Sequence, residues 1–172
     1  LLLVGLAAPA PVGLANTTRV DQARSASQAA EAARQEQVSA LLADLRHDPL
    51  NVDVLSRLAD AYLAGSSGED LARAAAALAL VISQRPDDVE AHTRIITAYL
   101  RAGDYVNARA ALESVRSLDA DPADVAFFDG IIGLRGDNDP AAAAAAFDRF
   151  LELAPDDARA AMVRALRAEA GE

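Results

Sequence analysis

Cysteine and tryptophan are absent from this 172-residue chain, and aromatic residues make up only 4% of it. Without cysteine the chain cannot form disulfides, hold a metal through thiolates or use a cysteine nucleophile. Apolar residues nevertheless reach 52%, and many of them are alanine, a strong helix former of small volume. The composition therefore predicts thin, closely packed helices rather than a thick globular core.

Positive charge is also scarce, since 16 basic residues face 26 acidic ones and the net charge is −10. A nucleic-acid binder needs clustered cationic side chains to neutralise phosphates, and the sequence has no basic cluster. The composition therefore argues against nucleic acid as a partner. Acidic charge of this size most often keeps a protein soluble.

Motifs of catalytic chemistry are missing as well. The sequence has no glycine-rich loop before a lysine, no Gly-x-Ser-x-Gly and no His-Glu-x-x-His. Its two histidines stand far apart: His47 is predicted to lie at a helix end and His92 to pack within a helix. Residues 136–140 predict a turn and a helix start, because a calcium loop needs a longer set of oxygen ligands. We therefore expect no enzyme activity, no cofactor and no metal.

Residues 1–18 open with fifteen apolar or small residues that carry no charge. This run is shorter than the roughly 20 residues that a membrane-spanning helix needs. It is typical of the apolar part of a signal peptide or of the second half of a membrane helix. Because Pro9, Pro11 and Gly13 oppose a continuous helix in water, we expect a truncated targeting or anchoring segment, with an apolar tail as the alternative.

Residues 19–48 are predicted to form one long polar helix that serves as a linker or as an N-terminal cap. The segment is rich in alanine, glutamine, glutamate and arginine and contains neither glycine nor proline. Val38, Leu42 and Leu45 follow the i, i+4, i+7 spacing of a buried helical stripe. Pro49 then ends the helix.

Three helices farther along share one spacing, and this spacing decides the predicted fold. Each has a small residue, a large apolar residue four positions on, and another three positions further. The sets recur at offsets of 34 and 35 residues: Ala74, Leu78 and Val81; Ala108, Leu112 and Val115; Ala143, Phe147 and Phe150. Periods of this length are typical of stacked supersecondary units.

A second helix precedes each of these and repeats with it. Its apolar positions are Leu55, Leu58 and Tyr62, then His92, Ile95 and Tyr99, and more loosely Val125, Phe128 and Ile132. Capping residues stand before the predicted helices, at Asn51, Ser67, Asp87 or Asp88, Asp121 and Asp139. The sequence therefore predicts three helical hairpins within residues 49–158, at about 50–87, 88–121 and 122–157.

The residues after the third hairpin, 158–172, predict a capping helix that covers the exposed end of the stack, as terminal repeats must. The helical pattern itself begins at Asp156. Ala161, Met162 and Leu166 are expected on its buried face.

The hairpin that contains Leu58-Ala59-x-x-Tyr62 and Ala74 resembles the tetratricopeptide repeat (TPR). The second hairpin, with Ile95-Ile96-x-x-Tyr99 followed by Gly103-Asp104-Tyr105, matches the repeat best. In the third, Asp129-Gly130 can be aligned one residue either way. The resemblance implies an all-α fold, a right-handed superhelix of antiparallel helical hairpins that forms a TPR solenoid with a C-terminal capping helix. It implies a protein–protein interaction scaffold without identifying the partner, because function sits in the groove and not in the fold.

In the geometry of that family the first helices of successive repeats line a concave groove. The positions that the resemblance assigns to a partner-binding groove are Ser56, Asp60, Leu63, Glu90, Thr93, Arg94, Thr97, Arg101 and Phe127. Such a surface suits an amphipathic helix or an extended peptide of a protein partner. Arg94 and Arg101 lie seven residues apart on one helical face and could hold a carboxylate, with exposure to solvent or pairing to neighbouring acids as the alternative.

The order of parts is similar to that of the membrane-anchored TPR assembly factor of bacterial c-type cytochrome maturation. This resemblance implies an extracytoplasmic protein that is attached to the membrane only through its N-terminal segment and captures a helix of its partner. Two alternatives stay open: a self-associating structural module, and the regulatory repeat portion of a larger enzyme. The oligomeric state is not predicted.

Overall fold

The computed structural model describes residues 12–171, with side chains from residue 19 onward. By its internal contacts the chain divides into two units, Leu1–Gln37 and Val38–Glu172. Within the described residues no helix combines the length and the apolar character needed to cross a bilayer. The predicted targeting or anchoring segment, 1–18, lies outside the residues whose side chains are described.

Eight α-helices make up the described residues, which contain no strand. They are α1 (Val12–Leu45), α2 (Val52–Leu63), α3 (Gly68–Gln84), α4 (Val89–Ala102), α5 (Tyr105–Ser117), α6 (Pro122–Arg135), α7 (Pro140–Leu153) and α8 (Ala160–Glu169). The pairs α2–α3, α4–α5 and α6–α7 form the first, second and third hairpins, and α8 packs on α7. The predicted all-α fold of stacked helical hairpins is confirmed.

The part of α1 that lies in the first unit is a polar helix whose described side chains are almost all exposed. Glu31 accepts hydrogen bonds from the guanidinium of Arg34 and, at 2.9 Å, from the side-chain amide of Gln35. Pairs three and four residues apart are neighbours on one helical face, and each adds a few tenths of a kcal/mol. Local pairs of this kind support the helix in this unit.

The end of α1, which belongs to the second unit, shows a buried stripe that differs from the predicted one. Leu41 is buried, Val38 and Leu45 are partly buried, and Leu42 is 42% exposed. The prediction for Leu42 is wrong because the stripe follows i, i+3, i+7, a spacing that a helix accommodates as readily as i, i+4, i+7.

The helices of the hairpins begin where side-chain caps predict. Asn51, Ser67, Asp88, Asp121 and Asp139 each accept a hydrogen bond from a backbone N–H in the first turn of the following helix. Each satisfies a donor that the helix itself leaves unpaired. Asp88 rather than Asp87 is the cap before α4. Asp104 caps α5 in the same way, directly after Gly103, which ends α4 in the left-handed conformation.

The nine residues of the repeated small–large–large spacing form the centre of the second unit. Each of them is at most 1% exposed. They pack in two clusters with buried residues of the first helices, and the three of the third hairpin also share their cluster with Ala160 and Val163 of α8. Neighbouring elements thus bury one another's apolar stripes. The prediction made from their 34- and 35-residue offsets is confirmed.

Gly130 fixes the register of the third hairpin, which the sequence leaves open by one residue. A Cβ added at this position would overlap the ring of Phe147, with the ring Cζ 2.8 Å away. Gly130 therefore occupies the position of close helix contact that Ala59 and Ile96 hold in the first two hairpins. In the third hairpin the ring of Phe147 fills the space that the side chain of Ile96 fills in the second hairpin.

The capping helix α8 begins at Ala160 and buries a different face from the one predicted. Ala160 and Val163 are buried, whereas Met162 is 47% exposed. Ala161 is exposed as well, and of the predicted face only Leu166 packs against the core, where it is partly buried. The predictions for Ala161 and Met162 are wrong because salt bridges as well as apolar contacts set the rotation of α8.

Two bidentate ion pairs hold α8 on the third hairpin. Arg135 of α6 contacts Glu169 at 2.6 and 2.8 Å, and Arg167 contacts Asp148 of α7 at 2.9 and 3.0 Å. The hydrogen bond from Arg167 lowers the pKa of Asp148 from its ordinary value.

Candidate partner-binding surface

The exposed side of α2 and α4, the first helices of the first two hairpins, brings most of the predicted groove residues together. We call it the A-helix surface. It consists of Asp53, Ser56, Asp60 and Leu63 from α2 and of Glu90, Thr93, Arg94, Thr97 and Arg101 from α4. On α4 these residues lie opposite the buried side, which includes Ile95 and Ile96. The amphipathic pattern of each helix thus leaves one polar side uncovered.

Arg94 joins the two helices of this surface. Its guanidinium donates hydrogen bonds to the Oγ and to the carbonyl oxygen of Ser56, both at 2.9 Å, and to the carboxylate of Asp60. Its side chain is only 17% exposed. These contacts engage both terminal nitrogens and the side chain is mostly covered, so Arg94 fastens α4 to α2 and does not present its guanidinium to solvent.

Arg101 has a similar structural role in the last turn of α4. Its guanidinium donates to the carbonyl oxygen of Leu63 and, at 2.6 Å, to that of Gly65. These carbonyls lie at the end of α2, where the helix leaves acceptors unpaired and where its dipole favours a cation. Arg94 is therefore paired with an acid, Asp60, whereas Arg101 is paired with backbone carbonyls, which neither interpretation predicted.

Carboxylates dominate the part of the A-helix surface that faces solvent. The side chains of Asp53, Asp60 and Glu90 are 86%, 63% and 83% exposed. Between them lie two half-buried threonines, of which Thr97 donates its hydroxyl to the carbonyl of Thr93 at 3.1 Å. Each carboxylate also lies within 4.0 Å of an arginine: Asp53 is 3.7 Å from Arg85, and Asp60 and Glu90 both approach Arg94. The surface therefore presents exposed but ion-paired carboxylates together with the threonines.

The sequence predicts Phe127 in the groove, and this prediction is wrong because the side chain lies in the core. It is 8% exposed and packs against Phe128 and Phe150, with ring centroids 5.4 and 5.8 Å apart. The guanidinium carbon of Arg159 covers both Phe127 and Phe150, 5.0 and 5.1 Å from their ring centres. The third hairpin thus offers no open phenylalanine to a partner, because the residue that precedes α8 lies over it.

Arg159 is a structural centre that the sequence pattern missed. It forms ion pairs with Asp124 of α6 at 2.7 Å and with Asp157 at 2.8 Å. The hydrogen bond from its side chain lowers the pKa of Asp157 to about 2, and the same bond raises the pKa of Arg159. Arg159 lies just before α8 and belongs to no repeating helical pattern. The spacing of apolar residues therefore could not predict its contacts.

Metal-binding groups are absent from the described part of the chain, where no three acidic or histidine side chains are placed to hold an ion. His92 is buried, and its Nε2 lies 3.0 Å from the carbonyl oxygen of Pro86. It packs within a helix, as the sequence predicts.

Comparisons with known proteins agree with this architecture. Residues 67–126 match the tetratricopeptide repeat family. A solved structure, "Crystal structure of MamA protein", resembles this one with a TM-score of 0.64 at 20% sequence identity, over 91% of this chain and 87% of that chain. No curated protein matches the sequence. The prediction of tetratricopeptide repeats is therefore confirmed over residues 67–126, and the likeness to MamA shows the fold alone.

Proposed function

Since the chain carries tetratricopeptide repeats in a solenoid of helical hairpins, we propose that it is a protein-interaction scaffold and not an enzyme. The observation that carries this proposal is the A-helix surface, which spans two hairpins and is not covered by another element of the second unit. Arg94 and Arg101 stabilise the fold, whereas the carboxylates, although ion-paired, stay largely exposed, so a partner can contact them and the threonines. Such a surface suits a segment that lies across both helices.

The charge of the A-helix surface indicates which segment it would take. Three exposed carboxylates, Asp53, Asp60 and Glu90, favour lysine or arginine side chains, and charge complementarity of this kind speeds encounter and excludes wrong partners. The threonines add short polar groups between them, and Leu63 adds a half-buried apolar contact. We therefore propose a basic amphipathic helix or a basic extended peptide of a protein partner as the ligand.

Photo-crosslinking tests this proposal in cells that make the protein. A photoreactive amino acid replaces Thr97 on the A-helix surface and, as the matched control, Ser117, which is exposed on α5. We expect one partner segment rich in basic residues to be captured from position 97 and not from position 117. Equal capture at both positions, or none at 97, would contradict the proposal.

A narrower proposal concerns the pathway and the location. The order of parts in the sequence supports a membrane-attached, extracytoplasmic assembly factor of c-type cytochromes. Deletion of the gene tests this role through the amount of cytochrome c that carries covalently attached haem. Loss of attached haem, restored by the wild-type chain, is the expected result. An unchanged amount would contradict the pathway while leaving the scaffold role in place.

A further inference from the structure

The second unit has two grooves of the same kind. Each lies between the second helices of two consecutive hairpins, with the first helix of the later hairpin between them. One lies among α3, α4 and α5 and has a volume of about 300 Å³. The other lies among α5, α6 and α7 and has a volume of about 420 Å³. We call the latter the Arg149 groove. Both occupy the same place in the repeat, so differences between them reflect their side chains.

Charge separates the two grooves. Ile82, Ile95 and Ser114 line the first groove. The equivalent positions in the Arg149 groove lie 34 or 35 residues further along the chain and carry ionic side chains: Arg116 for Ile82, Asp129 for Ile95 and Arg149 for Ser114. Repeat packing alone does not require ionic groups there, because the first groove is formed without them.

Arg149 differs from Arg116 in having no internal partner. Arg116 is paired with Asp129 and lies 3.4 Å from Glu113. Within the residues that the structure describes, no ion pair or hydrogen bond involves the side chain of Arg149, which is exposed at the edge of the groove. In a chain with ten more acidic than basic residues, this leaves a guanidinium free to bind an anion.

The wall next to Arg149 is apolar. It is formed by Val115, Leu118, Ala120, Val125 and Ala146, with Ala126 at its base. A pocket of 300–1,000 Å³ with apolar walls and a few placed polar groups is the usual form of a ligand site. The Arg149 groove is open to solvent but has such walls, and its polar groups are Arg149 and the Arg116–Asp129 ion pair.

We propose that the Arg149 groove binds a carboxylate carried by an aliphatic group. The guanidinium of Arg149 holds the carboxylate, and the apolar wall contacts the aliphatic part. Two sources share this chemistry: a free aliphatic acid, and the C-terminal residue of a protein chain that ends in leucine or a similar side chain. This site involves none of the residues of the A-helix surface and stands independently of the proposed function.

Nuclear magnetic resonance titration of the 172-residue chain tests the proposal with two probes. Hexanoate represents the free acid, and acetyl-Gly-Gly-Leu with a free carboxylate represents the chain terminus; the same peptide as its C-terminal amide is the control. We expect amide shifts at Leu118, Ala120 and Ala146 with one or both acids and not with the amide. The acid that binds more tightly identifies the source.

Substitutions distinguish this site from non-specific binding. Arg149→Gln is expected to weaken binding about tenfold, the size of one charge-assisted hydrogen bond. Arg57→Gln is the matched control, because Arg57 is also exposed and has no ion pair among the described residues. Ala146→Leu, which fills the groove, should weaken the binding of both acids. Absence of shifts with either acid, or equal binding by the Arg149→Gln and wild-type chains, would overturn the proposal.

Discussion

Arginine side chains make many of the contacts between neighbouring helices in this protein. Arg94 and Arg101 join α4 to α2, Arg135 joins α6 to α8, and Arg159 covers two phenylalanine rings. The planar guanidinium donates several hydrogen bonds in fixed directions and also stacks on aromatic faces. Alanine-rich helices expose few large apolar side chains, so these long polar ones extend the contact.

The partners of such residues could not be predicted from the sequence. A cation on an exposed helical face has the same pattern whether it binds a ligand or a neighbouring helix, so the roles of Arg94 and Arg101 depended on where Ser56 and Gly65 lie in space. Phe127 could not be placed in the core without knowing that Arg159 would cover it. Helical periodicity is a property of one element, whereas these contacts join residues of different elements.

Gly130 gives a prediction for core packing. Gly130→Ala adds a methyl group that overlaps the buried ring of Phe147, and overpacking of this kind costs about 1–3 kcal/mol. Urea unfolding should show that loss in the free energy of unfolding. Gly68→Ala is the control, since nothing lies within 4 Å of its added Cβ. That variant should be as stable as the wild-type chain or more so. Equal stability of the two variants would contradict the packing at Gly130.

Asp157 gives a prediction for the pH dependence of stability. Its pKa is lowered to about 2 from 3.8 by the hydrogen bond from Arg159, so the folded state favours the charged carboxylate. The stabilisation is therefore fully present above about pH 4 and is lost as the pH falls from there towards 2.

The measurement compares Asp157→Asn with the wild-type chain by urea unfolding across this pH range. The variant should be less stable at pH 6, and the difference should shrink as the pH approaches 2. Asp156→Asn, at the exposed neighbouring position, should show a smaller difference. A difference for Asp157→Asn that does not change with pH would argue against the ion pair.

At the scale of helices, capping and register explain why each element begins and ends where it does. Two features of the sequence were sufficient to predict the six helices α2 to α7. They are the capping residues and the repeated spacing of Ala74, Leu78 and Val81. The register of α6 and the rotation of α8 were not predictable. Gly130 has no side chain to mark a face, and α8 carries alanines on both its buried and its exposed sides, so its pattern allows more than one rotation.

The contact between α2 and α4 gives a prediction at this scale. Arg94→Met keeps the length of the side chain but removes its hydrogen bonds to Ser56 and Asp60. Since hydrogen bonds to charged groups contribute about 1.5–3 kcal/mol, we expect the free energy of unfolding to fall by that order.

Arg57→Met on the exposed side of α2 is the matched control. Substitutions at exposed positions without such contacts usually change stability by about 0.5 kcal/mol or less. If Arg94→Met were as stable as Arg57→Met, Arg94 would not fasten the helices, and a role in holding a ligand would again have to be considered.

At the scale of the second unit, stacked hairpins keep two kinds of surface apart. The A-helix surface presents carboxylates on the first helices, and the Arg149 groove presents a guanidinium beside the second helices. A repeat fold makes such a division possible because each position recurs with a fixed orientation and can change its side chain independently. The fold was predictable from recurring apolar residues, whereas these surfaces arise from residues that do not recur.

One titration tests the central claim that the A-helix surface binds a protein segment. The segment captured from position 97 is synthesised and titrated by calorimetry into the wild-type chain, a Thr93→Glu/Thr97→Glu variant and a Ser117→Glu control, with circular dichroism to show that each is folded. The account predicts that the double variant changes the affinity at least tenfold while the control binds like the wild-type chain. Equal affinity for all three folded chains would contradict it.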